Sequence, residues 1–252
     1  MTTTDPYDLI CWSADEPDLP TLLSHVDEMP RLRLIKIDRA FVDEHGWDVF
    51  DALRERDLRV FFDTKSIEIP VKLEKLAQIH CKRARPWMLN CMAGGLSTRI
   101  YHKSHENDEL DGLKRFADVC NDNGVRPCAV TVLTSKKPDT VNDEFNGRSS
   151  TTQVLYYAHQ LVKAGFSDLV CSPLEARALH NEGYTEVLDL NTPGIRPAGS
   201  AIGDQARVDT PSAALSHGTT RLVIGRPITN GPGTIAENLA AIADEILAGV
   251  TV

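Results

Sequence analysis

The sequence predicts an α/β protein folded as a (β/α)8 barrel, the TIM-barrel architecture. Three observations support this: eight apolar runs rich in β-branched residues, segments with helical spacing between them, and a length of 252 residues, which is usual for such a barrel. The runs are almost continuously apolar, as expected for parallel strands buried on both faces. The alternation of strands and helices favours a closed barrel over an open doubly wound sheet, and we expect one domain over residues 1–252.

The predicted strands are short apolar runs separated by polar or turn-forming residues. In chain order they are YDLICW (7–12), LRLIKI (32–37), LRVFFD (58–63), WMLNCM (87–92), CAVTVL (128–133), DLVC (168–171), EVLDL (186–190) and RLVIG (221–225). Helical spacing occurs in GWDVFDALRER, VKLEKLAQIHCK, DELDGLKRFADVCND, TTQVLYYAHQLVKAG and TIAENLAAIADEILAG, with shorter candidates after the first, sixth and seventh strands. SPLE (172–175) has the pattern of a capped helix start, and Gly165 and Gly183 suit helix ends.

Two polar segments are expected to be loops. Residues 135–150, SKKPDTVNDEFNGRSS, are long for a connection in this fold and predict either a mobile loop or a tolerated insertion. Residues 191–211, NTPGIRPAGSAIGDQARVDTP, contain three glycines and few large apolar side chains. That composition is typical of a lid over a binding site.

Composition and charge exclude several classes of protein. The formal net charge of −9 repels phosphate backbones over long range, which argues against a general nucleic-acid binder. The N-terminal stretch lacks the pattern of a signal peptide, and no apolar run approaches the roughly 18 residues of a membrane span. We therefore expect a cytoplasmic protein without a membrane segment. The six cysteines form no CxxC pair and are expected to be reduced and structural.

Charged residues follow two neighbouring predicted strands. Lys36 ends the second strand, and Asp63 and Lys65 end the third. The C-terminal strand ends form the active site in barrels of this kind, and residues two apart on an extended chain share a face. Lys36, Asp63 and Lys65 would then form an array whose members keep one another ionised. A structural ion-pair network at the barrel rim is the alternative interpretation.

The last two predicted loops suggest a phosphate site. Arg196 lies after the seventh strand, and Gly225 and Arg226 end the eighth strand in VIGRPIT. Barrels commonly bind phosphate at these two loops through backbone N–H groups. Arginine adds a fixed fork of donors that suits a phosphate dianion. The sequence therefore predicts a small phosphorylated ligand.

Over nearly its whole length the chain resembles the orotidine 5'-monophosphate decarboxylase family. LIKID resembles the lysine segment of the family's second strand, and FFDTKSIEIP resembles its D-x-K-x-x-D-I-P signature. TPGIRPAGSAIGDQARV and LVIGRPIT are similar to the family's phosphate-binding loops, and VTVLTS and LVCSPLEARAL are typical of bacterial members.

The resemblance implies a cofactor-free decarboxylase that forms uridine monophosphate in pyrimidine nucleotide biosynthesis. It also implies a homodimer whose active sites lie at the subunit interface. Lys36 would contact the ribose and order the array, Asp63 would lie against the departing carboxylate, and Lys65 would protonate the ring carbanion. Glu68 falls where the family has an aspartate donated by the partner subunit. The other substrate-contacting positions implied are Asp15 at the ribose, Thr134 and Ser135 at the pyrimidine, Ile69 as an apolar contact, and Arg196, Gln205, Gly225 and Arg226 at the phosphate.

Three positions depart from the family pattern. Glu68 stands in place of an aspartate, Lys72 in place of a threonine that reaches the partner's ribose, and Cys91 in place of a histidine of the fourth strand. These changes leave alternatives open: a decarboxylase of a related phosphorylated acid or modified pyrimidine nucleotide, or a nucleotide-binding protein without catalysis.

Overall fold

Eight parallel strands form a closed barrel in which each strand pairs with the next and the last pairs with the first. The computed structural model describes residues 5–94, 106–197 and 208–250. The strands are β1 (Ile10–Ser13), β2 (Leu34–Asp38), β3 (Arg59–Ser66), β4 (Met88–Met92), β5 (Arg126–Val130), β6 (Asp168–Val170), β7 (Asp189–Thr192) and β8 (Arg221–Ile224). The prediction of a (β/α)8 barrel is confirmed.

Helices surround the barrel and connect its strands. They are α1 (Leu19–Asp27), α2 (Arg39–His45), α3 (Val49–Arg54), α4 (Pro70–Ala84), α5 (Glu106–Asp122), α6 (Pro138–Glu144), α7 (Ser150–Ala164), α8 (Pro173–Asn181), α9 (Pro211–Ser216), α10 (Arg226–Thr229) and α11 (Ile235–Val250). Each segment with helical spacing overlaps one of these helices. Among the described residues, no helix is long and apolar enough to cross a membrane.

The predicted starts of two strands are wrong. Residues Pro6–Leu9 form a 3-10 turn whose first N–H groups are capped by Asp5, so β1 begins only at Ile10. The seventh strand begins at Asp189, because the 3-10 turn Tyr184–Glu186 still occupies the start of the predicted run.

The fifth strand and the segment after it also differ from prediction. β5 begins two residues earlier than its apolar run, because the charged Arg126 is paired with two carboxylates at the barrel's N-terminal end. Residues 135–150 are not loop throughout, since they contain α6. Pro138 occupies its first turn, where a missing N–H is tolerated, and Val141 anchors it in the core.

The predicted helix signals elsewhere are confirmed. Ser172 and Glu175 form a reciprocal capping box at the start of α8. Gly165 and Gly183 follow α7 and α8 in the left-handed conformation, with φ of 82° and 77°, which glycine adopts at no steric cost.

The barrel interior is layered along its axis. At the N-terminal end, Arg126 and Arg221 pair with Asp168 and Asp189, and both guanidinium groups lie over the ring of Trp87. Above this ionic layer lies a buried apolar layer formed by Cys11, Leu34, Phe61, Met88, Cys128 and Val223. The two layers fill the N-terminal part of the barrel interior.

One buried histidine makes the stability of the outer core depend on pH. His80 packs against Phe62 and Trp47, with ring centroids 5.2 and 5.9 Å apart, and its Nδ1 has no hydrogen-bond partner among the described residues. Burial, and to a smaller extent the charge of Arg39, lowers its pKa to about 4. In the unfolded chain the pKa is near 6.5. The unfolded state therefore binds a proton that the folded state excludes, and stability falls as the pH drops through this window.

We predict that His80→Phe removes this pH dependence. Between about pH 7.5 and pH 5, wild type should lose on the order of 1 kcal/mol more unfolding free energy than the variant, as measured by urea denaturation at each pH. His159→Gln, which changes an exposed histidine on α7, is the matched control and should keep the wild-type slope. Equal slopes for wild type and His80→Phe would contradict the assignment.

Candidate active site

A cavity of about 330 Å³ opens at the C-terminal end of the barrel. Every strand contributes to its lining, either from its own C-terminal residues or from the loop that follows it. Phe61, Val130, Val170 and Val223 line its apolar part. Most of the remaining lining is polar or charged, so the cavity suits a ligand with one apolar part and several polar groups.

Lys36, Asp63 and Lys65 meet in this cavity. One carboxylate oxygen of Asp63, Oδ2, lies 3.0 Å from Lys36 Nζ and 2.6 Å from Lys65 Nζ. The side chains of Asp63 and Lys36 are only 6% and 13% exposed, whereas that of Lys65 is 44% exposed. Lys65 therefore presents its ammonium group to the cavity while its partner carboxylate stays in the barrel interior.

Mutual attraction keeps this buried group of charges ionised. Burial alone would raise the pKa of Asp63, but Lys36, Lys65 and hydrogen bonds outweigh it and hold that pKa far below its usual range. Burial likewise opposes the charged form of Lys36, yet attraction to Asp63 raises its pKa. Lys36 and Asp63 are thus both charged at neutral pH.

A break in the β3–β4 pairing shapes the end of β3. Phe62 pairs with Leu89 and Ser66 with Cys91, so three residues of β3 lie opposite the single residue Asn90. Within this bulge Lys65 has a left-handed backbone with φ of 45°, which is uncommon for a residue other than glycine. The extended geometry expected from the sequence therefore does not persist through Lys65, although its side chain still reaches Asp63.

Asn90 was missed by sequence reasoning. Its Nδ2 donates to Asp63 Oδ1 at 2.7 Å, and its Oδ1 accepts from the backbone N–H groups of Thr64 and Lys65, each at 2.8 Å. The sequence feature that could have identified it is the single amide side chain in the otherwise apolar run WMLNCM. An amide buried in a strand needs partners on both of its polar atoms, and here those partners belong to the charged array.

Acidic residues flank Lys36 on the cavity wall. Asp15, after β1, and Asp38, the last residue of β2, both line the cavity. Asp38 also caps α2, because its Oδ1 accepts from the Phe41 N–H at 2.8 Å. Sequence reasoning named Asp15 but missed Asp38, whose position two residues after Lys36 places it on the same strand face. Carboxylates here suit a ligand that presents hydroxyl groups.

The loops after β5, β7 and β8 complete the lining. Thr134 and Ser135 lie after β5, Arg196 after β7, and Gly225 and Arg226 after β8. A β-carbon on Gly225 would lie 2.9 Å from the carbonyl oxygen of Ser13, so only glycine fits without a shift. In the closed barrel β7 lies opposite β3 and β8 is its neighbour, so Arg196 and Arg226 line the mouth on the side away from Asp63 and Lys65.

The loop that carries Arg196 is closed at its base by backbone hydrogen bonds. The N–H of Arg196 donates to Asp209 O at 2.8 Å, and the N–H of Asp209 donates to Gly194 O at 3.2 Å. Gln205, predicted as a phosphate ligand, lies outside the described residues.

Glu68 and Ile69 lie away from the cavity of their own chain. Both are exposed and neither contributes to its lining. Ile69 belongs to an exposed apolar strip with Ile67 and Val71, whose exposed fractions are 45%, 53% and 64%. The same strip carries the exposed Lys72. An exposed apolar strip next to a binding site is typical of an interaction surface.

Cys91 also lies outside the cavity. It faces the layer between barrel and helices, where complete burial raises the pKa of its thiol. Its replacement of a family histidine therefore leaves the described cavity wall unchanged. Among the described residues, no group of three His, Cys, Asp or Glu side chains is placed to hold a metal ion.

Comparisons with known proteins agree on one family. The model of the "Orotidine 5'-phosphate decarboxylase / HUMPS family" matches residues 8–241. An orotidine 5'-phosphate decarboxylase of Parasynechococcus marenigrum is 34% identical over 250 residues, covering 97% of this chain and 96% of the relative. One of Pseudomonas paraeruginosa is 36% identical over 236 residues, covering 92% and 94%. The crystal structure of the Lactobacillus acidophilus decarboxylase matches with a TM-score of 0.75 at 26% identity, covering 94% of this chain and 98% of that one.

We predict that the charges of Lys36 and Asp63 are strongly coupled. Asp63→Asn keeps the shape of the side chain but leaves Lys36 buried without its counter-charge, and should lower the free energy of unfolding by about 3 kcal/mol. Adding Lys36→Met removes the stranded ammonium and should recover most of that loss. Urea denaturation of wild type, both single variants and the double variant gives the coupling energy. Additive losses would contradict the coupling.

Proposed function

The chain belongs to the orotidine 5'-phosphate decarboxylase / HUMPS family, and from this premise we propose that it converts orotidine 5'-monophosphate to uridine 5'-monophosphate. The reaction is a cofactor-independent carboxy-lyase step of pyrimidine nucleotide biosynthesis. One observation carries the proposal: two ammonium groups held on one buried carboxylate oxygen, facing a cavity whose opposite rim carries two arginines.

The proposed chemistry requires stabilisation of a carbanion. The bond between C6 of the pyrimidine and its carboxylate breaks, carbon dioxide leaves, and the electron pair remains on C6. A fixed ammonium group at that carbon stabilises the developing charge without reorganisation. Lys65 then delivers a proton to C6 and regains one from solvent. Asp63 lies against the departing carboxylate and holds both lysines in place.

The remaining cavity residues have proposed roles in binding. Arg196, Arg226 and the backbone at Gly225 bind the 5'-phosphate, with Gln205 as a further ligand. Asp15 accepts hydrogen bonds from the ribose hydroxyls, and Lys36 donates to them. Asp38 adds a second carboxylate acceptor on the same wall.

Thr134 and Ser135 contact the pyrimidine from the loop after β5. Phosphate binding is remote from C6, so its energy can order the loops and hold the ring against the array.

We further propose that the protein is a homodimer that shares its active sites. Glu68 lies outside its own cavity, on the exposed strip that contains Ile67, Ile69 and Val71. Burying this strip against a second copy would remove apolar surface from water and bring Glu68 and Ile69 to the neighbour's site. Glu68 would then complete the array that Lys36, Asp63 and Lys65 begin.

The wider setting follows from this assignment. A nucleotide-converting enzyme of net charge −9 is proposed to act in the cytoplasm on a small-molecule substrate, without nucleic acid or membrane as a partner. The eight strands close one sheet, which supports a single domain over residues 1–252.

A second candidate is favoured by Glu68 and Lys72. The additional methylene of Glu68 and the positive charge of Lys72 would both alter the rim of the partner's cavity, so the substrate could be a related phosphorylated acid or a modified pyrimidine nucleotide. A nucleotide-binding protein without catalysis is the third candidate, but such a protein has no need for two ammonium groups on one carboxylate.

We predict that the purified protein consumes orotidine 5'-monophosphate, measured as the loss of orotate absorbance and as released carbon dioxide. Lys65→Ala should lower kcat by about a thousandfold, because the proton donor and the charge at C6 are both lost. Arg226→Ala should act mainly on KM through the phosphate. Lys82→Ala, an exposed lysine at the far end of α4, is the control and should match wild type.

Other outcomes of this assay separate the candidates. Tight binding of uridine 5'-monophosphate without turnover of any candidate acid would identify a binding protein. Turnover of another phosphorylated acid, with none of orotidine 5'-monophosphate, would identify the second candidate.

We predict that Lys65→Ala and Glu68→Gln complement each other in mixed dimers. Each is expected to be poorly active alone, but a heterodimer contains one site with both native residues. Random mixing should restore about a quarter of wild-type activity per chain, measured after joint refolding. Mixing Lys65→Ala with Lys36→Met is the control, because both residues belong to one chain's site and no complete site can form. Recovery no greater than in this control would contradict the shared site.

A further inference from the structure

Asn90 occupies the centre of the break between β3 and β4. The side chain is fully buried, and the bulge places Asp63, Thr64 and Lys65 opposite it. A bulge leaves backbone groups without ladder partners. Here the N–H groups of Thr64 and Lys65 both donate to Asn90 Oδ1 at 2.8 Å, so this side chain replaces the missing strand partner.

The same side chain orients the catalytic carboxylate. Asn90 Nδ2 donates to Asp63 Oδ1 at 2.7 Å, while Lys36 and Lys65 occupy Oδ2. Both oxygens of Asp63 therefore have partners, which fixes the plane of the carboxylate and so the positions of the two ammonium groups.

The amide also supports the unusual backbone of Lys65. A left-handed conformation at φ of 45° is costly for a lysine and persists only where its surroundings hold it. The hydrogen bond from the Lys65 N–H to Asn90 Oδ1 acts directly at this residue. The backbone O of Asn90 accepts from Thr64 Oγ1 at 2.5 Å and holds the preceding residue as well.

An amide meets both demands at neutral pH. Two backbone N–H groups require an acceptor, and the carboxylate of Asp63 requires a donor. Aspartate would supply the acceptor but place a second carboxylate against the first, and leucine or alanine would supply neither. We propose that Asn90 is a positioning residue for decarboxylation, holding Asp63 and the left-handed Lys65 in register with the reacting carbon. This inference rests on the proposed function.

Asn90→Asp is the most informative variant because it is isosteric and titratable. Its carboxylate would face Asp63 and Lys65 from β3, Lys36 from β2 and the Cys128 thiol of β5. Asp63 is held ionised, and burial keeps the pKa of Cys128 well above its usual range. As the pH falls, the carboxylate introduced by Asn90→Asp is therefore the group that binds a proton. Once protonated, it can donate to Asp63 and still accept from the bulge, as the native amide does.

The expected result is a pH-dependent rescue. At about pH 8 the kcat of Asn90→Asp should be roughly a hundredfold below wild type, because a displacement of the array on the order of 1 Å is enough for such a loss. The ratio of variant to wild-type kcat should then rise about tenfold or more towards pH 5.5. KM should change less than kcat, since the proposed phosphate ligands lie after β7 and β8. Asn90→Ala should lose activity without any rescue.

Asn191→Asp is the matched control. Asn191 is a buried asparagine on β7 whose Nδ2 donates to Asp168 Oδ1 at 3.1 Å and whose Oδ1 accepts from Arg221 Nε at 3.0 Å, so its side chain contacts the ionic layer and not the array. Asn191→Asp can destabilise the fold, but the ratio of its kcat to that of wild type should stay constant with pH. A constant ratio for Asn90→Asp, or an equal rise for Asn191→Asp, would overturn the assignment.

A stability measurement separates this inference from the proposed function. If wild type fails to turn over orotidine 5'-monophosphate, the proposed function fails, and urea midpoints measured against pH then decide the role of Asn90. The urea midpoint of Asn90→Asp should move towards that of wild type as pH falls. The carboxyl group that Asn90→Asp introduces is expected to have a higher pKa in the folded state than in the unfolded state, so proton uptake stabilises the folded variant. A midpoint difference that does not change with pH would overturn the Asn90 assignment by itself.

Discussion

The ion pairing of one buried carboxylate is the interaction on which the rest of the site depends. Asp63 is 6% exposed, and two ammonium groups lie within 3.0 Å of the same oxygen. An unpaired carboxylate in a barrel interior would be neutralised or would cost several kcal/mol. Pairing keeps it charged, and the charged carboxylate in turn determines where Lys36 and Lys65 can lie. The geometry proposed for catalysis and the local stability therefore rest on the same contacts.

The layers below the cavity make this arrangement possible. The ionic layer of Arg126, Arg221, Asp168 and Asp189 lies at the N-terminal end, and the apolar layer above it is buried. The left-handed Lys65 and the charges around Asp63 lie above these two layers, at the C-terminal end. A rigid lower barrel can hold an upper rim that would not be stable alone.

Part of the fold and of the candidate site could be predicted from the sequence. The barrel was predictable because eight apolar runs alternate with helices, and the meeting of Lys36, Asp63 and Lys65 followed from the common edge of parallel strands. Asn90 escaped notice because its partners are set by a bulge, which a local pattern does not reveal. The start of β5 was missed for a related reason: Arg126 is charged, and only its distant carboxylate partners make it a strand residue. The local sequence pattern predicts helices and strands. The role of a polar residue buried within a strand depends on its tertiary contacts, which the local pattern does not contain.

A crystal structure of the protein with uridine 5'-monophosphate tests the central claim most directly. The distance to measure joins Lys65 Nζ and C6 of the pyrimidine, the carbon that carries the carboxylate in the substrate. The account predicts about 3 Å, with the phosphate on Arg196 and Arg226 and with Asp63 Oδ2 still contacting both ammonium groups. A nucleotide bound with C6 remote from Lys65, or an array that separates on binding, would contradict it.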